Sequence, residues 1–157
     1  MMVVYASWRR SPSTATSNAA GATAVNAGAL IVLESAVHER ESKPRPDLNL
    51  MTLLHELSRG HKLEQHRDRA ARDARRHMTW VIEHELPERH ARPSDAADLD
   101  ALALALTRCD LVTCDAFMAD VIKRARLDVR HRCELFSGRR PDVLRLRDRV
   151  RDLAAAV

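Results

Sequence analysis

Cys109–Asp110–Leu111–Val112–Thr113–Cys114–Asp115 contains a four-residue apolar run that stops on a carboxylate. Before it lies an acidic, alanine- and leucine-rich helical pattern that begins near Asp95. After it a new helical pattern starts at once with Ala116–Phe117–Met118. A run this short, bounded this way, predicts a buried parallel strand with Asp115 at its carboxyl end, where open α/β sheets place their chemistry. Leu30–Ile31–Val32–Leu33 runs in a comparable way into Ser35–Ala36–Val37–His38–Glu39–Arg40–Glu41. Two strand ends that deliver acids to one sheet edge predict a site for a hard cation.

Outward from these runs, strands alternate with helical segments, so the expected class is α/β, a parallel sheet flanked by helices. Residues 1–23 are expected to be a poorly ordered N-terminal segment, rich in Ser, Thr, Ala and Asn beyond Arg9, although Met1–Trp8 has the composition of a short strand. Residues 24–157 form the single expected domain. Ser35 is a plausible N-cap for a short helix carrying His38 and Glu41. Lys43–Pro44–Arg45–Pro46 breaks it, and Asp47 opens an amphipathic helix with Leu48, Leu50, Met51, Leu53, Leu54 and Leu57 as its apolar face and Gly60 as its stop. Leu63–Leu86 is helical but heavily charged, with Ala70, Ala74, Met78, Val81 and Ile82 as a thin apolar stripe. The next helix starts at Ser94–Asp95 and buries Leu99, Leu102, Ala103 and Leu106. After the strand, Ala116–Arg126 is helical with Phe117, Val121 and Ile122 inward, Val129–Phe136 reads as a strand, and Pro141 suits N1 of a last helix reaching Leu153.

A chain of 157 residues suffices for one domain with a real core. No apolar run approaches the roughly 20 residues that cross a bilayer, and Arg9–Arg10 has no apolar stretch directly after it, so no secretory signal or membrane partner is expected. The net charge is +4 and arginine far outnumbers lysine. The guanidinium fork pairs bidentately with phosphate, which fits a nucleic-acid partner, while an evenly solvated surface explains the same charge. Cys109, Cys114 and Cys133 lack paired CxxC spacing and read as reduced thiols of a cytoplasmic protein. A zinc site of these three with His131 is the weaker alternative.

Two groups of motifs resemble the PIN-like family of bacterial ribonucleases. Ser35–x–x–His38–x–x–Glu41–Ser42, Arg45–Pro46–Asp47–Leu48 and Leu57–Ser58–Arg59–Gly60 are similar to its first half. Asp95–x–x–Asp98–Leu99 followed by Cys109–Asp115 is similar to its second half. The resemblance covers roughly residues 30 to 150. It implies a PIN-like three-layer fold and a metal-dependent endoribonuclease whose acids bind Mg²⁺ or Mn²⁺. Glu41 matches the family's second acid, Asp98 or Asp95 the third and Asp115 the fourth. The family's first acid ends its first strand, but Val3–Trp8 holds no Asp or Glu, so the expectation is either a first strand truncated or degraded relative to the family or a natural start other than Met1.

The resemblance thus makes Glu41, Asp98 and Asp115 the catalytic set, with Asp95 a further metal ligand. His38, one turn before Glu41 on the same helical face, and Arg139 and Arg140 are expected to touch substrate. Each has a structural alternative. Asp115 and Asp95 suit N-caps, Asp98 suits a first helical turn, Glu41 suits a solvated surface and His38 a hydrogen-bonded interior. RNA is the expected partner, alongside a homodimer or an antitoxin-like protein. One rival is a degenerate module that binds RNA or protein without cutting, which would use Arg67, Arg69, Arg72, Arg75 and Arg76. Another is a helical DNA-binding domain, which requires that no strands form at Leu30–Leu33 and Leu111–Cys114.

Overall fold

Leu111–Cys114 and, within Leu30–Leu33, Ile31–Leu33 do become strands, which removes the all-helical reading. The computed structural model describes residues 5–7, 20–34, 38, 50–63, 69–90, 92 and 95–156. Its strands are β1 (Tyr5–Ser7), β2 (Ile31–Leu33), β3 (Leu111–Cys114) and β4 (Glu134–Ser137). Its helices are α1 (Ala20–Asn26), α2 (Leu50–Ser58), α3 (Arg69–Glu85), α4 (Asp95–Arg108), α5 (Ala116–Arg124), α6 (Leu127–His131) and α7 (Arg140–Ala155). The chain is therefore mixed α/β, with helix predominating.

The sheet order is β2-β1-β3-β4. β3 and β4 are parallel, pairing Leu111 with Glu134 through Cys114 with Ser137. β1 runs antiparallel to both β2 and β3, so β2, β3 and β4 share one direction. The expectation of an all-parallel sheet is corrected at β1: an apolar run fixes that a strand forms, not which way it points. Within residues 1–23, Tyr5–Ser7 is an inner strand and a helix begins at Ala20.

Side chains alternate across the sheet because a strand has period two. Val112, Cys114 and Leu135 face a core shared with α3, α4, α5 and Leu127 of α6. Leu111, Phe136 and Val32 face the other way, against Ala24 and Val25 of α1 and Val150 and Leu153 of α7. Helices thus cover both faces. α4 is buried continuously from Ala101 to Leu106, which explains why its sequence is Ala and Leu on all sides rather than amphipathic.

Three local expectations shift. The buried stripe of α3 is Ala71, Ala74, Met78 and Val81; Ala70 faces out, because spacings of three and four both satisfy a helix and the rotation chosen is set by α4. Leu53 on α2 is half exposed while Leu54 and Leu57 pack inward. Val129–Phe136 is divided: α6 takes its first part, and only Glu134–Ser137 is strand. Arg126 and Arg132 have φ of 52° and 55°, so left-handed residues bracket α6, and Val129 belongs to its exposed side. Gly60, φ 79°, stands just past α2, at the left-handed position where glycine is least strained.

Candidate functional site

Because α4 returns into β3 through only Cys109 and Asp110, it runs antiparallel to that strand, and its N-terminus points toward the edge where β3 ends. Asp98 stands in the first turn of that helix, and Asp115 directly follows that strand. A side-chain bridge links the first turns of α4 and α5. Both guanidinium nitrogens of Arg89 donate to Asp95, at 2.8 and 3.0 Å, and the same guanidinium lies 3.5 Å over the ring of Phe117, two residues beyond Asp115. The N-terminus of α4 is thereby held against that of α5.

Asp95, expected among the metal ligands, is instead committed to this bridge. The backbone N–H of Arg92 also donates to it, at 2.9 Å. Burial would raise its pKa, but the hydrogen bonds from Arg89 and Arg92 and their charges outweigh that and hold it below the usual carboxylate value. Asp98 is 7% exposed, an uncommon setting for a carboxylate. Asp115 is half-buried and caps α5: its Oδ1 accepts from the Met118 N–H at 2.7 Å. Capping engages that oxygen and leaves the residue at the strand end, so the structural and the chemical roles coexist.

Three further groups at this edge are ones that sequence reasoning missed. Glu34 directly follows β2, whose end faces the same way as that of β3. Its backbone is fixed by the His61 carbonyl (2.9 Å) and the Leu63 N–H (2.8 Å), and its carboxylate lies 3.5 Å from Nδ1 of His55. Two strand spacings, about 10 Å, separate it from β3. The signal was present, since Glu34 ends an apolar run just as Asp115 does. Asp142 accepts from both the N–H and the Oγ of Ser137, at 2.9 and 2.6 Å, and these hydrogen bonds lower its pKa. Ser137 pairs in register with Cys114, next to Asp115. The third group is Arg89 itself. Arg139 and Arg140, both exposed, follow β4 at the same edge. Glu41 lies outside the described residues.

His38 is 3% exposed. Burial drives its pKa from 6.5 down to about 4, against the opposing charge of Glu34, so it is neutral at pH 7. Folded His38 binds a proton less readily than unfolded His38. Its contribution is therefore complete above pH 6.5 and is lost as pH falls from there toward 4, at about 1.4 kcal/mol per pH unit. Wild type is expected to lose about 2 kcal/mol from this group between pH 7 and pH 5, and His38→Gln to show a correspondingly flatter profile. Urea midpoints for both proteins at the two pH values check this; coincident pH profiles would rule it out.

The three cysteines are free and buried, and burial pushes each pKa up to about 12, so they remain thiols. Among the described residues, no group of three or more His, Cys, Asp or Glu is drawn together so as to hold a metal ion. This includes the cysteines with His131. No helix among them is long and apolar enough to cross a membrane. In comparisons with known proteins, no family model matches the chain, and no curated protein or solved structure matches it.

Proposed function

We propose that this chain is a PIN-like, metal-dependent endoribonuclease that hydrolyses RNA phosphodiester bonds. The Arg89 bridge carries the reading: it joins Asp95, which shares the first turn of α4 with Asp98, to Phe117, two residues past Asp115. Glu34 supports it by following a strand of the same direction at the same edge.

The donors are all oxygens, which suits a hard divalent cation. Mg²⁺ is commonly held by one or two carboxylates and keeps several waters, so a cage of three protein ligands is not required. Asp98 and Asp115 would hold it, with Glu34 in reserve across the sheet. Such an ion supplies an activated water and stabilises charge on the phosphoryl oxygens. Arg139 and Arg140 would pair with flanking phosphates from the rim, and Ser137–Asp142 fixes the turn that carries them.

A second reading, a module that binds RNA without cutting it, is favoured by one observation: Asp95 is spent on Arg89, leaving fewer acids to gather a cation. Incubating the protein with mixed RNA in Mn²⁺ separates the two. The nuclease reading expects cleavage that EDTA abolishes; RNA retained but uncut selects the second.

A further inference from the structure

The exposed face of α3 carries a stripe that the acid edge does not use. Arg69, Arg72, Arg76, Trp80 and His84 follow spacings of three and four, so they line one side of the helix, opposite buried Ala71, Ala74, Met78 and Val81. Arg130 of α6 adds a guanidinium from across a cavity of about 800 Å³ lined by Arg69, Ala70, Arg72, Asp73, Arg76 and Arg130. Asp73 orients two of the arginines, with contacts of 2.7 Å to Arg76 and 2.8 Å to Arg130. Among the described residues Arg69 and Arg72 form no ion pair. Four cations against one carboxylate leave this groove strongly positive.

Beyond the arginines the stripe becomes aromatic. Trp80 is 52% exposed, so part of its indole is available to a ligand at the end of the arginine stripe. His84 stacks on it at 4.8 Å between ring centroids and 13° between planes, and Nδ1 of His84 lies 2.9 Å from the Trp80 carbonyl, which fixes the imidazole. From Arg69 to Trp80 the stripe is about 16 Å long, enough to follow a strand rather than hold a single phosphate. Guanidiniums leading to an exposed, oriented ring match how single strands are bound: phosphates on the cations and an unstacked base on the aromatic face. An acidic peptide would use the arginines and leave the indole without a role.

We propose that the α3 stripe, Arg69–Arg72–Arg76–Trp80 with Arg130 opposite, is a binding surface for single-stranded RNA. The choice of RNA among polyanions rests on the nuclease reading; the surface itself does not involve the acids. The test is fluorescence anisotropy of a labelled single-stranded oligoribonucleotide in EDTA, where no cleavage intervenes. Arg69→Glu with Arg72→Glu is expected to weaken binding at least about tenfold and to flatten the log K against log salt slope by about 1.4. Trp80→Ala is expected to weaken it about fivefold or more, with Trp80→Phe restoring most of the loss. Arg147→Glu with Arg151→Glu, on α7, should bind within about threefold of wild type. The proposal is overturned if wild type does not bind, if the α7 pair weakens binding as much as the α3 pair, or if polyglutamate displaces the RNA as well as unlabelled RNA does. Binding that persists in EDTA without cleavage in Mn²⁺ would sustain this surface while removing the nuclease reading.

Discussion

Asp98→Asn and Asp115→Asn are each expected to lower Mn²⁺-dependent RNA cleavage by about 10²–10⁴, the range for removing one charged or proton-handling group from an active site, without unfolding the protein. Asparagine is the informative replacement at Asp115 because it caps a helix about as well as aspartate. The hydrogen bond now accepted from the Met118 N–H survives, and only the charge is lost. Asp115→Ala would remove both, costing about 1 kcal/mol of stability as well and confusing the two effects. Asp120, exposed on the same helix and paired with Arg124 at 2.8 Å, provides the control: Asp120→Asn should cleave like wild type. If Asp98 and Asp115 act on one ion, the double variant falls little further than either single one. Cleavage that survives both changes, with melting temperatures unaltered, would show that these acids take no part in the reaction.

Much of this site was legible because it depends on local rules. A four-residue apolar run between two helical patterns placed β3 at Leu111–Cys114, and the carboxylate that follows it became both strand end and cap. The start of α4 at Asp95 followed from the same logic. What local pattern does not contain is direction and distance. Tyr5–Ser7 reads as a strand, yet nothing in three residues states that it runs antiparallel between β2 and β3. Asp95 and Asp98 are equally good first-turn acids by sequence. The difference is made by Arg89, six residues before Asp95, whose fork is satisfied bidentately by one of them and not the other. Glu34 shows a different failure. It obeys the same rule as Asp115, directly following an apolar strand, while the expected acid of that segment is Glu41, further along the sequence.

The same reasoning explains why the α3 stripe was visible and its meaning was not. Arginines at helical spacing read equally as solvated surface or phosphate contacts, and the sequence offers no means of choosing. Placing Trp80 on the exposed side, in line with the arginines, favours the second, since it adds a ring on which a base can stack.

Phe136→Ala is expected to cost about 3–5 kcal/mol, a large share of the roughly 5–15 kcal/mol that holds a domain together. Phe136 is 1% exposed and sits in the smaller of the two cores, among Val32, Leu111, Val150 and Leu153, where a lost ring leaves a cavity that the short strands around it cannot close. The guanidinium of Arg145 lies 4.6 Å from the ring centroid and is tied by its Nη2 to the Leu135 carbonyl at 2.6 Å and to Asp142 at 3.2 Å. Removing the ring therefore takes away the surface under Arg145 and loosens Asp142, whose carboxylate receives the Ser137 N–H. Urea denaturation would register the first effect as a lower midpoint with Phe136→Leu intermediate. Amide exchange at Ser137 would register the second as lost protection beyond that of neighbouring sheet amides. A change below about 1 kcal/mol would mean that α1 and α7 do not close over the sheet, because a ring left in water forfeits little when it is removed. An edge built on Ser137 and Asp142 would then lack the packing that positions it.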